Sequence, residues 1–241
     1  MSDATSVLTT VRTPRRSRPT RRDWLVTIGL LALALIPVLA GSVRVKQLTV
    51  SAATTPVTAD NARFFAAPLP VIIHIVASSL YAVLGAFQFA PGLRLRYPRW
   101  HRRVGWLLLP SGFASALTGL WMAHFYPWPA GDGQALYALR LVFGSGMTIA
   151  LIQSIAAIRR RDFARHGAWM VRAYAIGMGA GTQVLTHMAW LLLIGTTGEL
   201  ARTITMGGGW VINLLIAEWV ISRRLTRPGR RPVSTTTTHP A

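Results

Sequence analysis

The stretch "PRWHRRVGWLLLPSGFASALTGLWMAHF", Pro98 to Phe125, opens polar and arginine-rich and turns apolar at Val104. From Val104 to Phe125 it is long enough to cross a bilayer. A run of about 20 apolar residues spans the hydrocarbon, and there only a helix satisfies its own backbone groups. With this stretch as the template, five further runs stand out: Trp24 to Val43, Leu69 to Ala90, Ala138 to Ile158, Ala168 to Ile194 and Ile204 to Ser222. The expected fold is all-α, an integral membrane helical bundle of six transmembrane helices with a four-helix core of helices two to five. Pro37 and Pro110 fall inside spans, where lipid-embedded helices tolerate a kink.

Composition agrees with this reading. Of 241 residues, 51% are hydrophobic and 14% charged, which suits lipid as the solvent. The net charge of +19 would point to nucleic acid if it formed a face on a soluble domain. It does not, because the arginines sit in short blocks between apolar runs, as they do in proteins that mark their cytoplasmic side. Without cysteine, disulfides, thiolate-held iron–sulfur clusters and covalently attached c-type haem are excluded.

Twenty Lys and Arg fall before span one, between spans two and three, between four and five, and after span six. The opposite loops carry only Arg44, Lys46, Arg63 and Arg202, with Arg140 and Arg172 just inside helix ends. This asymmetry predicts both termini in the cytoplasm and a bacterial cytoplasmic-membrane location. Residues 24–222 form the membrane domain. Residues 1–23 and 223–241, rich in Arg, Pro, Ser and Thr, are expected to be disordered basic cytoplasmic tails along anionic phospholipid headgroups. The run "TRRDWL" from Thr20 resembles a twin-arginine export signal, but five further apolar runs argue against folded soluble cargo. Ser42 to Pro68 reads as an irregular outer loop without catalytic pattern.

Five of the six histidines fall in or beside spans. His101 and His166 lie at the inner ends of helices three and five. Gln88 precedes His101 by the interval at which Gln153 precedes His166, so spans two and three echo spans four and five, a parallel repeat of the kind that places sites at its interface. At about 1.5 Å per residue, His74 lies roughly 7 Å and His187 roughly 10 Å below the outer ends of their helices. Intramembrane imidazoles need partners, and they usually line a bundle interior, a cavity or a cofactor. Two stacked bis-histidine haem b sites are therefore possible readings: His74 with His187, and His101 with His166, with Arg102, Arg103 or Arg172 near the propionates. Anchoring in the headgroup region and proton transfer are the competing roles for His101 and His166. His124, beside "FYPWP", reads as interfacial.

Other motifs carry less. Glu218 is the only acid well inside a span, so no carboxylate pair forms, and depth arithmetic instead predicts a Glu218–Arg172 pair with Asn213 deeper on a neighbouring face. "GSG" around Ser145 and "GMGAGT" from Gly177 read as close helix packing, and "MGGGW" lacks the context of a phosphate loop.

Taken together, "HIVASSLYAVLGAFQF" from His74, "RWHRRVGW" and "HGAWMVRAY" resemble a family of bacterial predicted membrane proteins, the domain-of-unknown-function family twenty-three-oh-six. The resemblance covers about residues 70–195 and implies a multi-spanning membrane protein without assigning a reaction or ligand. A looser architectural likeness is to transmembrane b-type cytochromes and ferric reductases, which place histidines at two depths in a four-helix core. The specific function this suggests is transmembrane electron transfer through b-type haem, from a quinol or another redox partner. Its rival is a non-redox small transporter or lipid- or anion-binding protein.

Overall fold

The computed structural model describes residues 20–225. In chain order the helices are α1 (Arg21–Leu48), α2 (Ala62–Ala66), α3 (Pro68–Gln88), α4 (Pro91–Arg96), α5 (Pro98–Phe125), α6 (Gln134–Arg159), α7 (Phe163–Gly177), α8 (Gly179–Leu193) and α9 (Glu199–Leu225). The described residues contain no strand. Five helices, α1, α3, α5, α6 and α9, are long and apolar enough to cross a membrane. Leu193, 85% exposed, and Trp106, 78% exposed, belong to apolar faces that only lipid would cover.

Helix ends follow local chemistry. Thr20 caps α1 by accepting from Asp23 N–H, while Asp23 Oδ2 accepts from Thr20 N–H at 2.8 Å. The "TRRD" of the export-like motif is thus a capping box, and the helix starts ahead of the expected boundary at Trp24. At the far end α9 runs past Ser222 to Leu225. The rest of the two expected tails lies outside the described residues. Proline at the first turn, Pro98, starts α5 well before Val104, and the Asp162 side chain caps α7 through Arg165 N–H. His101 and His166 therefore sit inside the first turns of their helices. The expected outer loop is shorter than Ser42 to Pro68, because α1 continues to Leu48 and α2 interrupts the remainder.

The fifth apolar run differs from its expectation in kind. It is divided at Met178, whose φ of −79° and ψ of 1° leave the α region, between Gly177 and Gly179. Glycine is about 1 kcal/mol less favourable than alanine in a helix interior, so two of them flanking one residue weaken the helix there. A break in lipid needs another partner for its freed backbone. Asn213 of α9 supplies it: its Nδ2 donates to Ala175 O at 3.0 Å, and its Oδ1 accepts from Thr182 Oγ1 at 2.7 Å. Below the break α7 packs on α6 and α9, whereas above it α8 leaves α6 and packs on α9 and α1.

The main core joins Tyr81 of α3, Leu108 of α5, Met147 and Leu151 of α6, and Tyr174 of α7. Lipid competes equally for apolar side chains, so close fit decides association. Gly112 and Gly177 illustrate it, since a Cβ on either would press on the Tyr81 ring. These two glycines are separated by the same interval as His101 and His166, which extends the internal echo into the packing.

The predicted pair between Arg172 and Glu218 is present and bidentate, at 2.6 and 2.8 Å, with Arg172 also lying over the Trp169 ring at 4.6 Å. Glu218 does not turn into the bundle, however: its side chain is 50% exposed on the outside of the α7–α9 seam. Glu218→Gln should lower stability by about 1 kcal/mol, the upper range for an exposed pair. Adding Arg172→Gln should cost little more, because both changes remove one interaction. A double-mutant cycle of thermal unfolding in detergent checks this, and fully additive losses would contradict the coupling.

Candidate functional site

The break at Met178 has a consequence at the end of the bundle that carries Asp132. Where α8 diverges from α6, a cavity of about 370 Å³ opens among α3, α5, α6, α8 and α9. Its floor is apolar, with Phe143 and Trp210 stacked at 4.8 Å and Met147 beside them. The Trp210 indole lies against Gly179, where a Cβ would collide with its Nε1, so the glycine after the break lets α9 approach.

The mouth is charged. Asp132, in the α5–α6 loop, has its side chain only 1% exposed, and it pairs with Arg140 Nη1 of α6 at 2.5 Å and with Arg202 Nε of α9. Arg63 of α2 also lines the cavity. Burial lowers the Arg63 pKa; Asp132 opposes that shift and Arg202 adds to it. Among the residues lining the cavity three guanidiniums stand to one carboxylate, while Asp60 also acts on Arg63 and the Glu199 side chain lies against Gly133 beside Asp132. An Arg–carboxylate clamp fixes the geometry of Arg140 and Arg202, and Arg63 lies outside it.

On the cavity wall, His74 Nδ1 lies 2.9 Å from Ser115 O and 3.2 Å from Thr118 Oγ1. A carbonyl only accepts, which places the proton on Nδ1 and leaves Nε2, without a hydrogen-bond partner among the described residues, as an acceptor. Gln183 lines the same space and donates from Nε2 to Met206 O at 3.1 Å.

His187 does not join His74. Its Nδ1 donates to Gln183 O at 2.9 Å and its Nε2 accepts from Thr205 Oγ1 at 3.0 Å. The ring is committed to α9, while His74 faces α5, and the two line different cavities. The expected convergence of His74 and His187 is therefore corrected: equal depth did not bring equal direction around the helix axes. His124 is exposed, with Nδ1 2.9 Å from Tyr137 OH.

At the opposite end, His166 Nδ1 lies 2.8 Å from Ser154 Oγ and 3.1 Å from Ser154 O. His101 Nδ1 and both side-chain polar atoms of Gln88 are buried without hydrogen-bond partners among the described residues. Arg102 is exposed, and Arg172 is engaged by Glu218. Among the described residues, no group of three or more His, Cys, Asp or Glu is placed to hold a metal ion.

The sequence profile of the DUF2306 predicted membrane proteins matches residues 71–221. The chain belongs to this family. The match runs into α9, beyond the expected 70–195, so it takes in Asp132, Arg140, Arg202 and Asn213, whereas Arg63 and Phe64 of the cavity lining lie outside it. No curated protein and no solved structure matches this DUF2306 protein. Sequence reasoning missed the cavity of the DUF2306 protein because Arg63, Asp132, Arg140 and Arg202 come from four separate segments. The available signal was the scarcity of cations on that side: of the six outside the arginine blocks, Arg63, Arg140 and Arg202 line one cavity.

Proposed function

We propose that this DUF2306 protein binds an anionic small molecule in the cavity at the Asp132 end, as a non-redox anion-binding or transporting membrane protein. The observation that carries this reading is the excess of guanidinium over carboxylate at the mouth of a cavity with an apolar floor. Arg140 and Arg202 are held by Asp132, so they are pre-positioned, and Arg63 supplies charge without being part of that clamp. His74 Nε2 offers an acceptor to a ligand hydroxyl deeper in the cavity. A broken helix beside a binding cavity is also how many transporters build their sites.

Sidedness and span count belong to the same reading. We take α7 and α8 as one interrupted pass, giving six passes, and we place the Asp132 end outside a bacterial cytoplasmic membrane. The arginine asymmetry supports both termini being cytoplasmic.

The experiment is a titration of detergent-solubilised protein with inorganic phosphate at constant ionic strength, followed by melting temperature. Phosphate should raise the melting temperature of the wild type, and Arg63→Gln should weaken the apparent affinity at least tenfold, about 1.4 kcal/mol. A wild type that does not respond, or an unchanged response in Arg63→Gln, overturns the reading.

A second reading, electron transfer through haem b at the His101 end, has one specific support. His166 Nδ1 is held by Ser154, which leaves Nε2 as the coordinating atom, and His101 Nδ1 is a buried group in want of a partner. A Soret band in the purified protein tests it, and a flat spectrum after haem-replete expression removes it.

A further inference from the structure

The cavity at the Asp132 end adjoins a second, larger space of about 860 Å³. Ala180, Gln183, Arg202 and Met206 line both, so one arginine serves two compartments. This second space is a groove along α8, between α1 and α9, walled by apolar residues including Ile36, Val184 and Leu191. Met188 and Leu191, on its wall, are exposed large apolar residues. A free anion arriving from water has no use for such a groove. An anionic lipid needs both compartments, a cationic place for its phosphate and an apolar trough for a chain.

We infer that the ligand of this site is an anionic phospholipid that enters sideways from the bilayer, with its phosphate at Arg202 and Arg63 and an acyl chain along α8 between α1 and α9. The inference rests on the anion-binding reading above and adds the chemical class of the ligand and its route. Charge complementarity commits the occupant: a phosphodiester carries one negative charge toward a cavity whose lining holds three guanidiniums and one carboxylate. A zwitterionic lipid brings its own cation to the same guanidiniums and is disfavoured there. Arg202 belongs to the Asp132 clamp, so tests of the groove are better placed elsewhere. Met188 is suitable because it is 53% exposed and no core cluster includes it.

The test titrates purified protein in a neutral detergent with dioctanoyl phosphatidylglycerol, dioctanoyl phosphatidylcholine and glycerol 3-phosphate, and reads apparent affinity from the melting temperature. The phosphatidylglycerol should bind at least tenfold more tightly than either of the others, and Met188→Trp, which fills the groove, should weaken it at least tenfold. Glycerol 3-phosphate should respond to Met188→Trp by less than threefold. Should glycerol 3-phosphate bind as tightly as the phosphatidylglycerol, or Met188→Trp leave lipid binding unchanged, the lateral lipid is overturned while the anion site stands. Equal affinity for phosphatidylcholine overturns recognition of the charge. Failure of all three probes to bind overturns both the lipid and the anion reading.

Discussion

Asp132→Ala should cost the protein about 3–5 kcal/mol, the range seen when one partner of a buried ion pair is removed and the other is left uncompensated. Asp132 is the common partner of Arg140 and Arg202, and its side chain is almost fully enclosed. Its loss leaves two guanidiniums repelling each other at the mouth of an apolar cavity, and it unties the α5–α6 loop from α9. Asp132→Asn should cost less, since the amide oxygen still accepts from one arginine. The loss should shrink in an Arg140→Met, Arg202→Met background, where no charge awaits a partner. Chemical denaturation in detergent measures all three, and equal losses for Asp132→Ala with and without the arginines would contradict the clamp.

The second large effect is expected at Gly181. A Cβ built there would collide with the carbonyl oxygen of Leu33 and press on the Leu33 side chain. Backbone cannot rotate away as a flexible side chain can, so α1 and α8 must separate. Gly181→Ala should therefore destabilise by about 1–3 kcal/mol, the usual cost of overpacking. Gly29 of α1 and Gly105 of α5 have nothing within 4 Å of the corresponding position. Their alanine variants should melt within a degree or two of the wild type or slightly above it, as helix propensity favours alanine. A Gly181→Ala variant as stable as Gly29→Ala would show that the α1–α8 approach is not tight.

Much of the fold was legible along the chain. Lipid imposes helices on every apolar run, and the arginine blocks mark one end of the apolar part, although α1, α5 and α9 extend into them. One depth calculation placed Glu218 opposite Arg172, because a charge in that layer has few partners. Depth alone failed for His74 and His187, since it fixes one coordinate of a side chain and says nothing of its rotation about the helix. Ser115 and Thr118 draw the first ring to α5, and Thr205 draws the second to α9. The break at Met178 stayed hidden because hydrophobicity continues through it unchanged. The glycines around it were read as packing, as Gly179 and Gly181 indeed are, and the residue that makes the break tolerable, Asn213, lies a helix away. The site was hidden for the same reason: Asp132 looks like an ordinary loop acid until the helices bring Arg140 and Arg202 to it.

The last helix of the described residues, α9, touches almost every feature above. Arg202 closes the clamp, Met206 and Trp210 wall the cavity, Asn213 braces the break, and Glu218 ties down Arg172. These contacts are spread along one segment of 27 residues. A chain made from its N-terminus inserts that segment after all the others. While the ribosome is still building it, Asp132 holds only Arg140, Ala175 offers an unanswered carbonyl, and the cavity lacks a side. Insertion of α9 is therefore the step at which the cavity closes, and a nascent chain stalled before Glu199 carries all the other walls around an open side.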